Sequence, residues 1–203
     1  MAHVSEKQNL FVKGSNWYTR RTYGRDVTIT PVIAHSPWMA MGWAALEFAH
    51  DRAGKVDERL KALAELKAST KVGCEFCIDI GSALGRQSGI TEDQIRDFHR
   101  YSDSSAFSEK EKLVMRYAEA MSTETAEVPP GVMAEMRKHF DDAALVELTA
   151  SIAIENFRAR FNKALDVEPA GFSEGVYCPL PDRAAAEASA RSDSAAAAGA
   201  GAA

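Results

Sequence analysis

The sequence has few cysteines, no excess of positive charge and no apolar run long enough to cross a membrane. Three cysteines among 203 residues are too few for the disulfide scaffold of a small secreted domain. A net charge of −5 at pH 7 provides no basic field that would attract nucleic acid or an anionic membrane surface. We therefore expect neither a nucleic-acid partner nor a membrane partner.

Targeting and membrane signals are missing as well. Residues 1–17 lack the apolar core of a signal peptide. The most apolar run, residues 38–49, is shorter than a membrane span and contains Glu47. These absences predict a cytoplasmic protein. In that reducing compartment a close cysteine pair more often performs redox or metal chemistry than it staples the fold.

A strict alternation of apolar and polar residues, which would predict β-strands, does not occur over any useful length. Apolar residues instead recur at spacings of three and four, which predicts amphipathic helices. One such stripe consists of Trp38, Met41, Ala45 and Phe48. We expect an all-α helical bundle of about six to eight helices joined by short loops.

Local signals mark where several of these helices begin. Residues 91–94 (TEDQ) and 108–111 (SEKE) have the form of capping boxes. The VPPG sequence at 128–131 breaks the chain and supplies a proline for the first turn of a new helix. Residues 141–162 form the longest apolar-periodic stretch, which predicts a central helix.

Composition divides the chain into three parts. Residues 1–30 are polar and aperiodic, and we interpret them as an N-terminal polar segment. Residues 31–180 carry the helical pattern and form the predicted domain. Residues 181–203 are rich in alanine and have almost no large apolar side chains, so we expect a disordered tail.

The sequence KVGCEFCIDIGSALG contains two of the three cysteines, Cys74 and Cys77. Residues three apart share one face of a helix, so the two thiols can approach each other and close a disulfide. At the first turn of a helix the dipole lowers a thiol pKa. Glu75 and Asp79 oppose thiolate formation and Lys71 favours it.

Three interpretations of this pair stay open: a redox pair, half of a metal site, or two buried cysteines packing as small hydrophobic residues. A metal site needs two more ligands, whereas His99, His139 and Cys178 are scattered singles. A thioredoxin-like pair needs a βαβ context, which is missing. The pattern favours redox-capable thiols, with no metal and no cofactor.

The sequence RLKALAELKASTKVGCEFCIDIGSALGR, followed by ENFRARFN at Glu155–Asn162, resembles the carboxymuconolactone decarboxylase-like superfamily. The alkylhydroperoxidase D (AhpD) branch is the most similar, over about Pro31 to Gly175. The resemblance implies an AhpD-like all-α bundle that assembles into trimers, hexamers or other oligomers. It also implies reduction of small organic peroxides by Cys77, with Cys74 as the resolving cysteine and a dithiol or lipoyl-type protein as reductant.

This chain departs from the family motif at its proton relay. Ala62 stands where the family has glutamate, Gly81 where it has histidine, and Phe76 between the cysteines where some members have a further histidine. A positioned general base contributes about 10²- to 10⁴-fold to a rate. Glu65, one helical turn from Ala62, is therefore a candidate catalytic replacement, the alternative being a solvated surface carboxylate.

The second half of the motif offers further polar candidates. Glu155 lies in an apolar helix and is another possible acid or base, the alternative being an ion pair with Arg158 or Arg160. Asn162 and Arg160 match the family's tail motif, and we interpret them as structural. Cys178 is a lone loop thiol, for which a passive role is expected.

Two other functions compete with peroxide reduction. One is a lyase of the carboxymuconolactone decarboxylase type, which acts on a small carboxylated lactone without needing a cysteine pair. The other is a non-catalytic oligomeric scaffold that has lost its relay. Oligomerisation is favoured because one short segment holds many large apolar residues. These are Trp38, Met39, Met41, Trp43 and Phe48.

Overall fold

The computed structural model describes residues 3–179, and within that range the chain is helical, without strands. A 3₁₀ turn at Phe98–Arg100 follows α6. The helices, in chain order, are α1 Leu10–Tyr23, α2 Ile29–Ile33, α3 Pro37–Arg52, α4 Glu58–Val72, α5 Glu75–Gln87, α6 Glu92–Arg96, α7 Glu109–Met121, α8 Pro130–His139 and α9 Asp142–Ala164. The all-α prediction is confirmed. The described residues contain nine α-helices, more than the expected six to eight.

The expectation of an aperiodic segment at residues 1–30 is wrong for Leu10–Tyr23, which form α1. Asn9 caps this helix by accepting the Val12 backbone N–H at 2.9 Å, and Gly24 ends it at φ 75°. The sequence pattern hid the helix because only Val12 and Thr19 are buried, so α1 has no long apolar stripe.

Helix α4 occupies the centre of the domain and packs against α5, α7 and α9. Leu63, Ala64 and Ala68 on α4 are fully buried. The predicted central helix at 141–162 is confirmed as the long helix α9, which packs against α4, α5, α7 and α8. The two small alanines let α9 and α7 approach α4 closely on one side, where Leu148 and Ile152 complete the core.

Several predicted helix starts are confirmed. Both capping boxes form: Thr91 with Gln94 at the start of α6, and Ser108 with Glu111 at the start of α7. Pro130 occupies the first position of α8. These local signals agree with the tertiary structure, so the starts of α6, α7 and α8 could be predicted from the sequence.

The junction between α4 and α5 determines where the cysteines lie. Gly73 ends α4 in the left-handed region at φ 75°, and the Cys74 N–H donates to the Ser69 carbonyl at 3.1 Å. Cys74 then adopts an extended conformation and becomes the N-cap of α5. A glycine is required here because other residues rarely adopt this conformation.

The chain after α9 returns to α5, where hydrogen bonds to Asp79 hold it in place. The Asp79 carboxylate accepts the backbone N–H groups of Phe172 and Ser173 at 2.9 and 2.7 Å, and the Ser173 hydroxyl donates to the Asp79 carbonyl at 2.8 Å. Residues 181–203, the predicted tail, lie outside the described range. No helix within residues 3–179 is long and apolar enough to cross a membrane.

Candidate active site

Cys74 and Cys77 form a disulfide at the N-terminus of α5, with their Cα atoms 5.3 Å apart. Cys77 is the third residue of the helix, and its backbone N–H donates to the Cys74 sulfur at 3.2 Å. Only 2% of Cys74 and 4% of Cys77 is exposed. The proximity expected from their spacing is thus present, and both sulfurs are screened from bulk solvent.

A cavity of about 520 Å³ lies beside Cys77 and is enclosed by side chains from α1 to α5 and α9. Much of its wall is aromatic. Trp43 packs against Phe157 and Phe161 of α9, with ring centroids 4.8 and 5.2 Å away, in a tilted and an edge arrangement respectively. The aromatic lining residues are Phe11, Tyr18, Tyr23, Trp43, Phe48 and Phe76. The cavity therefore suits a small apolar molecule.

A cluster of charged groups also lines this cavity, centred on the Arg158 guanidinium. Arg158 Nε donates to Glu47 Oε1 at 2.8 Å, and its Nη1 lies 3.3 Å from Glu155 Oε2 and 3.6 Å from Glu65 Oε2. Burial lowers the Arg158 pKa, but the hydrogen bond to Glu47 and the neighbouring carboxyl groups outweigh this effect and raise the pKa above its usual range. The Arg158 guanidinium thus lies against three carboxyl groups.

Glu65 lies in this cluster on α4, and it is bound to a histidine. Its Oε1 is 2.7 Å from His50 Nε2, and one fifth of the Glu65 side chain is exposed. This hydrogen bond raises the pKa of His50, although burial opposes the shift. The alternative of a solvated surface carboxylate is wrong, whereas a catalytic role for Glu65 stays a prediction.

Glu155 lies on the same cluster but in a more apolar environment. Burial raises its pKa to about 8, even though Arg158 lowers it. The expected contact with Arg158 is present, and the other carboxyl oxygen, Oε1, is buried without a hydrogen-bond partner. At neutral pH this group is therefore mainly a protonated acid.

Asn162 makes direct contact with the candidate nucleophile, which the sequence did not predict. Its Nδ2 donates to Cys77 Sγ at 3.4 Å, while its Oδ1 is buried without a partner. Arg160, by contrast, bonds to Asn156 and Thr123, as a structural residue would. The interpretation of Asn162 as purely structural is incomplete, since its amide can stabilise a Cys77 thiolate.

The departures from the motif have visible structural consequences. Ala62 packs against the apolar cluster that contains Leu66 and Ile78. Gly81 lines the cavity, and a Cβ built there would lie 3.5 Å from Leu66 Cδ1, an ordinary contact. Positions 62 and 81 thus supply no proton-carrying side chain, and the carboxyl and imidazole groups of the cavity come from α3, α4 and α9.

The remaining sequence candidates lie outside the cavity wall. His99 and His139 are exposed. The Cys178 thiol lies 3.4 Å from the Ser82 hydroxyl, and burial raises its pKa, which disfavours a reactive thiolate. Among residues 3–179 no group of three or more His, Cys, Asp or Glu side chains is placed to hold a metal ion.

The sequence did not predict that His50 and Arg158 line the candidate site. Glu155, Arg158 and Asn162 follow spacings of three and four and so share one face of α9, a signal available from the sequence. His50 had no such signal, because α3 is brought to α4 by tertiary packing alone.

Comparison with known proteins identifies relatives of similar size and fold. Residues 36–120 match the model of the carboxymuconolactone decarboxylase family. The uncharacterized protein YnjA of Escherichia coli K12 is 29% identical over 180 residues, which cover 86% of this chain and 93% of YnjA.

Solved structures share the architecture. An Agrobacterium tumefaciens protein of unknown function, named as an AhpD-type antioxidant defence protein, has a TM-score of 0.64 at 26% identity, covering 68% of this chain and 94% of its own. The debrominase Bmp8 has a TM-score of 0.72 at 20% identity, covering 83% and 92%. At that identity the likeness to Bmp8 concerns the fold alone.

Proposed function

Because the chain belongs to the carboxymuconolactone decarboxylase-like superfamily, and to its AhpD-like branch, we propose that it is a thiol peroxidase for small neutral organic hydroperoxides. One observation carries the proposal: Cys77, half of a disulfide pair, lines an apolar cavity large enough for such a substrate. A buried nucleophile, a substrate space and a resolving partner are the parts that this chemistry requires.

The proposed cycle begins with both cysteines reduced. The Cys77 thiolate attacks the terminal peroxide oxygen, the O–O bond breaks, and the alcohol leaves after gaining a proton. Cys77 is then a sulfenic acid, which condenses with the Cys74 thiol to form the disulfide and release water. A dithiol reductant restores both thiols by exchange and is itself oxidised to a disulfide.

Cavity electrostatics favour a neutral substrate. The cationic groups among the lining residues are Arg158 and, when protonated, His50, and both are already bound to carboxylates. A substrate carboxylate would therefore meet Glu47 and Glu65 without a free cation to pair with. The same argument disfavours the lactone decarboxylase alternative, whose substrate carries a carboxylate.

Burial of the disulfide bears on the identity of the reductant. With 2% and 4% of the two cysteines exposed, a broad protein surface cannot reach either sulfur directly. A slender dithiol, such as a lipoyl arm, can enter through the cavity to attack Cys77. We therefore propose a lipoyl-type donor in preference to a partner with its own surface cysteine pair.

A second candidate is the reductive removal of halogen from a neutral aromatic compound, since Bmp8 is a debrominase that shares the fold. The aromatic wall facing Cys77 is the observation that favours it. Cys77-dependent release of bromide from a bromopyrrole, without consumption of hydroperoxide, would favour this candidate over the first.

The proposal is tested by the consumption of cumene hydroperoxide with dihydrolipoamide as reductant. Wild type should turn over and Cys77→Ser should not, whereas Cys178→Ser should match wild type. The neutral substrate should exceed a carboxylated hydroperoxide in kcat/KM by at least about tenfold, because like charges repel in a low-dielectric cavity. No turnover with any hydroperoxide would favour the scaffold interpretation.

A further inference from the structure

The cavity wall contains one histidine, His50, among the residues that the structure describes. We propose that His50 accepts the proton of the Cys77 thiol and returns it to the leaving alkoxide, and that Glu65 holds the imidazole in position. The assignment rests on the proposed peroxidase function. It gives His50 the role of a catalytic residue and Glu65 that of a positioning residue.

The hydrogen bond to Glu65 determines which ring nitrogen can act. His50 Nε2 lies 2.7 Å from Glu65 Oε1, so in the neutral ring Nε2 carries the hydrogen and Nδ1 keeps its lone pair. His50 Nδ1 is buried and has no hydrogen-bond partner. The Asp51 Oδ1 carboxylate oxygen lies 3.8 Å from His50 Nδ1, beyond hydrogen-bond distance.

The other polar groups of the cavity are less suited to accept this proton. Glu155 is buried, mainly neutral and in contact with Arg158. Glu47 accepts hydrogen bonds from the same guanidinium. Glu65 is already engaged with His50 and Arg158. An unpartnered acceptor, oriented by a carboxylate and sharing a cavity with a nucleophilic cysteine, matches the nucleophile–base–orienter arrangement of thiol enzymes.

The proposed step balances in protons and electrons. His50 Nδ1 takes the Cys77 proton, which leaves a thiolate and an imidazolium. The thiolate attacks the terminal oxygen, the O–O bond breaks, and the imidazolium returns its proton to the alkoxide, so that neutral His50 is restored. Cys77 is oxidised to the sulfenic acid and the hydroperoxide is reduced to the alcohol.

The imidazolium also lowers the thiol pKa of Cys77, and this effect is measurable without any peroxide. Opposite charge favours the thiolate, whereas the nearby acids act against it. The titratable and charged groups around His50 are Glu47 and Asp51 on α3, Glu65 on α4, Glu155 and Arg158 on α9, and Tyr23 on α1. Each of them stays in place when only His50 is changed.

The test uses the reduced full-length chain with Cys74→Ser and Cys178→Ser, so that Cys77 is the reactive thiol. Serine at position 74 replaces the capping sulfur with an oxygen that can accept the same Cys77 N–H at the start of α5. The rate of alkylation by iodoacetamide is measured against pH. His50→Gln should raise the pH midpoint by about one unit or more, and Glu65→Gln should raise it by less. His139→Gln, an exposed control, should leave it unchanged.

An unchanged midpoint in a folded His50→Gln protein, checked by circular dichroism, would overturn the assignment. If His50→Gln does not fold, Glu65→Gln carries the test alone, since glutamine keeps the hydrogen bond and removes the charge. A shifted midpoint without hydroperoxide turnover in wild type would refute the proposed peroxidase and leave His50 as the base for Cys77. When Cys74 and Cys178 are restored, His50→Gln should lower kcat/KM for the hydroperoxide about 100-fold.

Discussion

Glu155 is a buried carboxyl group whose ionisation is linked to folding. Its pKa in the folded protein is about 8, against 4.5 for an unperturbed glutamate, and burial is the main cause. Between these two values the folded state binds more protons than the unfolded state. The free energy of unfolding of wild type therefore falls as pH rises through this window.

Glu155→Gln should remove this dependence, because glutamine mimics the protonated acid and does not ionise. We expect the free energy of unfolding of the variant, relative to wild type, to increase from pH 5 to pH 8. Urea unfolding at several pH values measures it. A difference that stays constant across the window would mean that Glu155 is ionised in the folded protein.

At the scale of residues, the sequence predicted the placement of the cysteine pair better than the groups that surround it. The spacing of Cys74 and Cys77 was sufficient to place the two sulfurs together. Glu65 was predicted as a candidate because it lies one helical turn from Ala62. His50 and the Asn162 contact depend on how α3 and α9 pack around the cavity, and no local pattern reports this packing.

At the scale of elements, Asp79 shows how one side chain can fix a whole segment. Its carboxylate accepts two backbone N–H groups of the chain that follows α9. Asp79→Ala would leave the buried Ser173 N–H without an acceptor. We expect a loss of about 1.5–3 kcal/mol in the free energy of unfolding, the range for hydrogen bonds to a charged group.

Denaturant unfolding measures this loss, with the exposed Asp103→Ala as the matched control. The control should change stability by less than about 0.5 kcal/mol, as surface substitutions usually do. An equally small effect of Asp79→Ala would show that the segment after α9 is held by its apolar contacts instead.

The helices that the sequence predicted best are those with strong local signals. Capping boxes predicted the starts of α6 and α7, and a long apolar repeat predicted α9. Helix α1 was missed because most of its surface is exposed and its residues carry little apolar periodicity. Its place in the cavity wall is a tertiary property, which periodicity alone cannot reveal.

At the scale of the whole molecule, α3 presents an unusually apolar surface. Trp38 is 81% exposed, Met41 60% and Phe48 61%, and Trp17 on α1 is 67% exposed. This face is therefore not buried within one protomer. The expected interface between copies of this chain stays a prediction.

Light scattering tests this prediction at the level of mass. We expect a homo-oligomer, and Trp38→Glu with Met41→Glu should shift it toward the monomer, because charges would be buried at the interface. Asp103→Ala serves again as the unaffected control. A clean mass of 22.1 kDa for wild type would contradict oligomerisation.

The central claim is that Cys77 is the residue oxidised by the hydroperoxide and that Cys74 resolves it. The most direct measurement is mass spectrometry after one equivalent of cumene hydroperoxide is added to the reduced protein. Wild type should return to the Cys74–Cys77 disulfide, and Cys74→Ser should gain one oxygen atom on Cys77. If Cys77 stays reduced in both proteins, or if the oxygen is found on Cys178, the account is wrong.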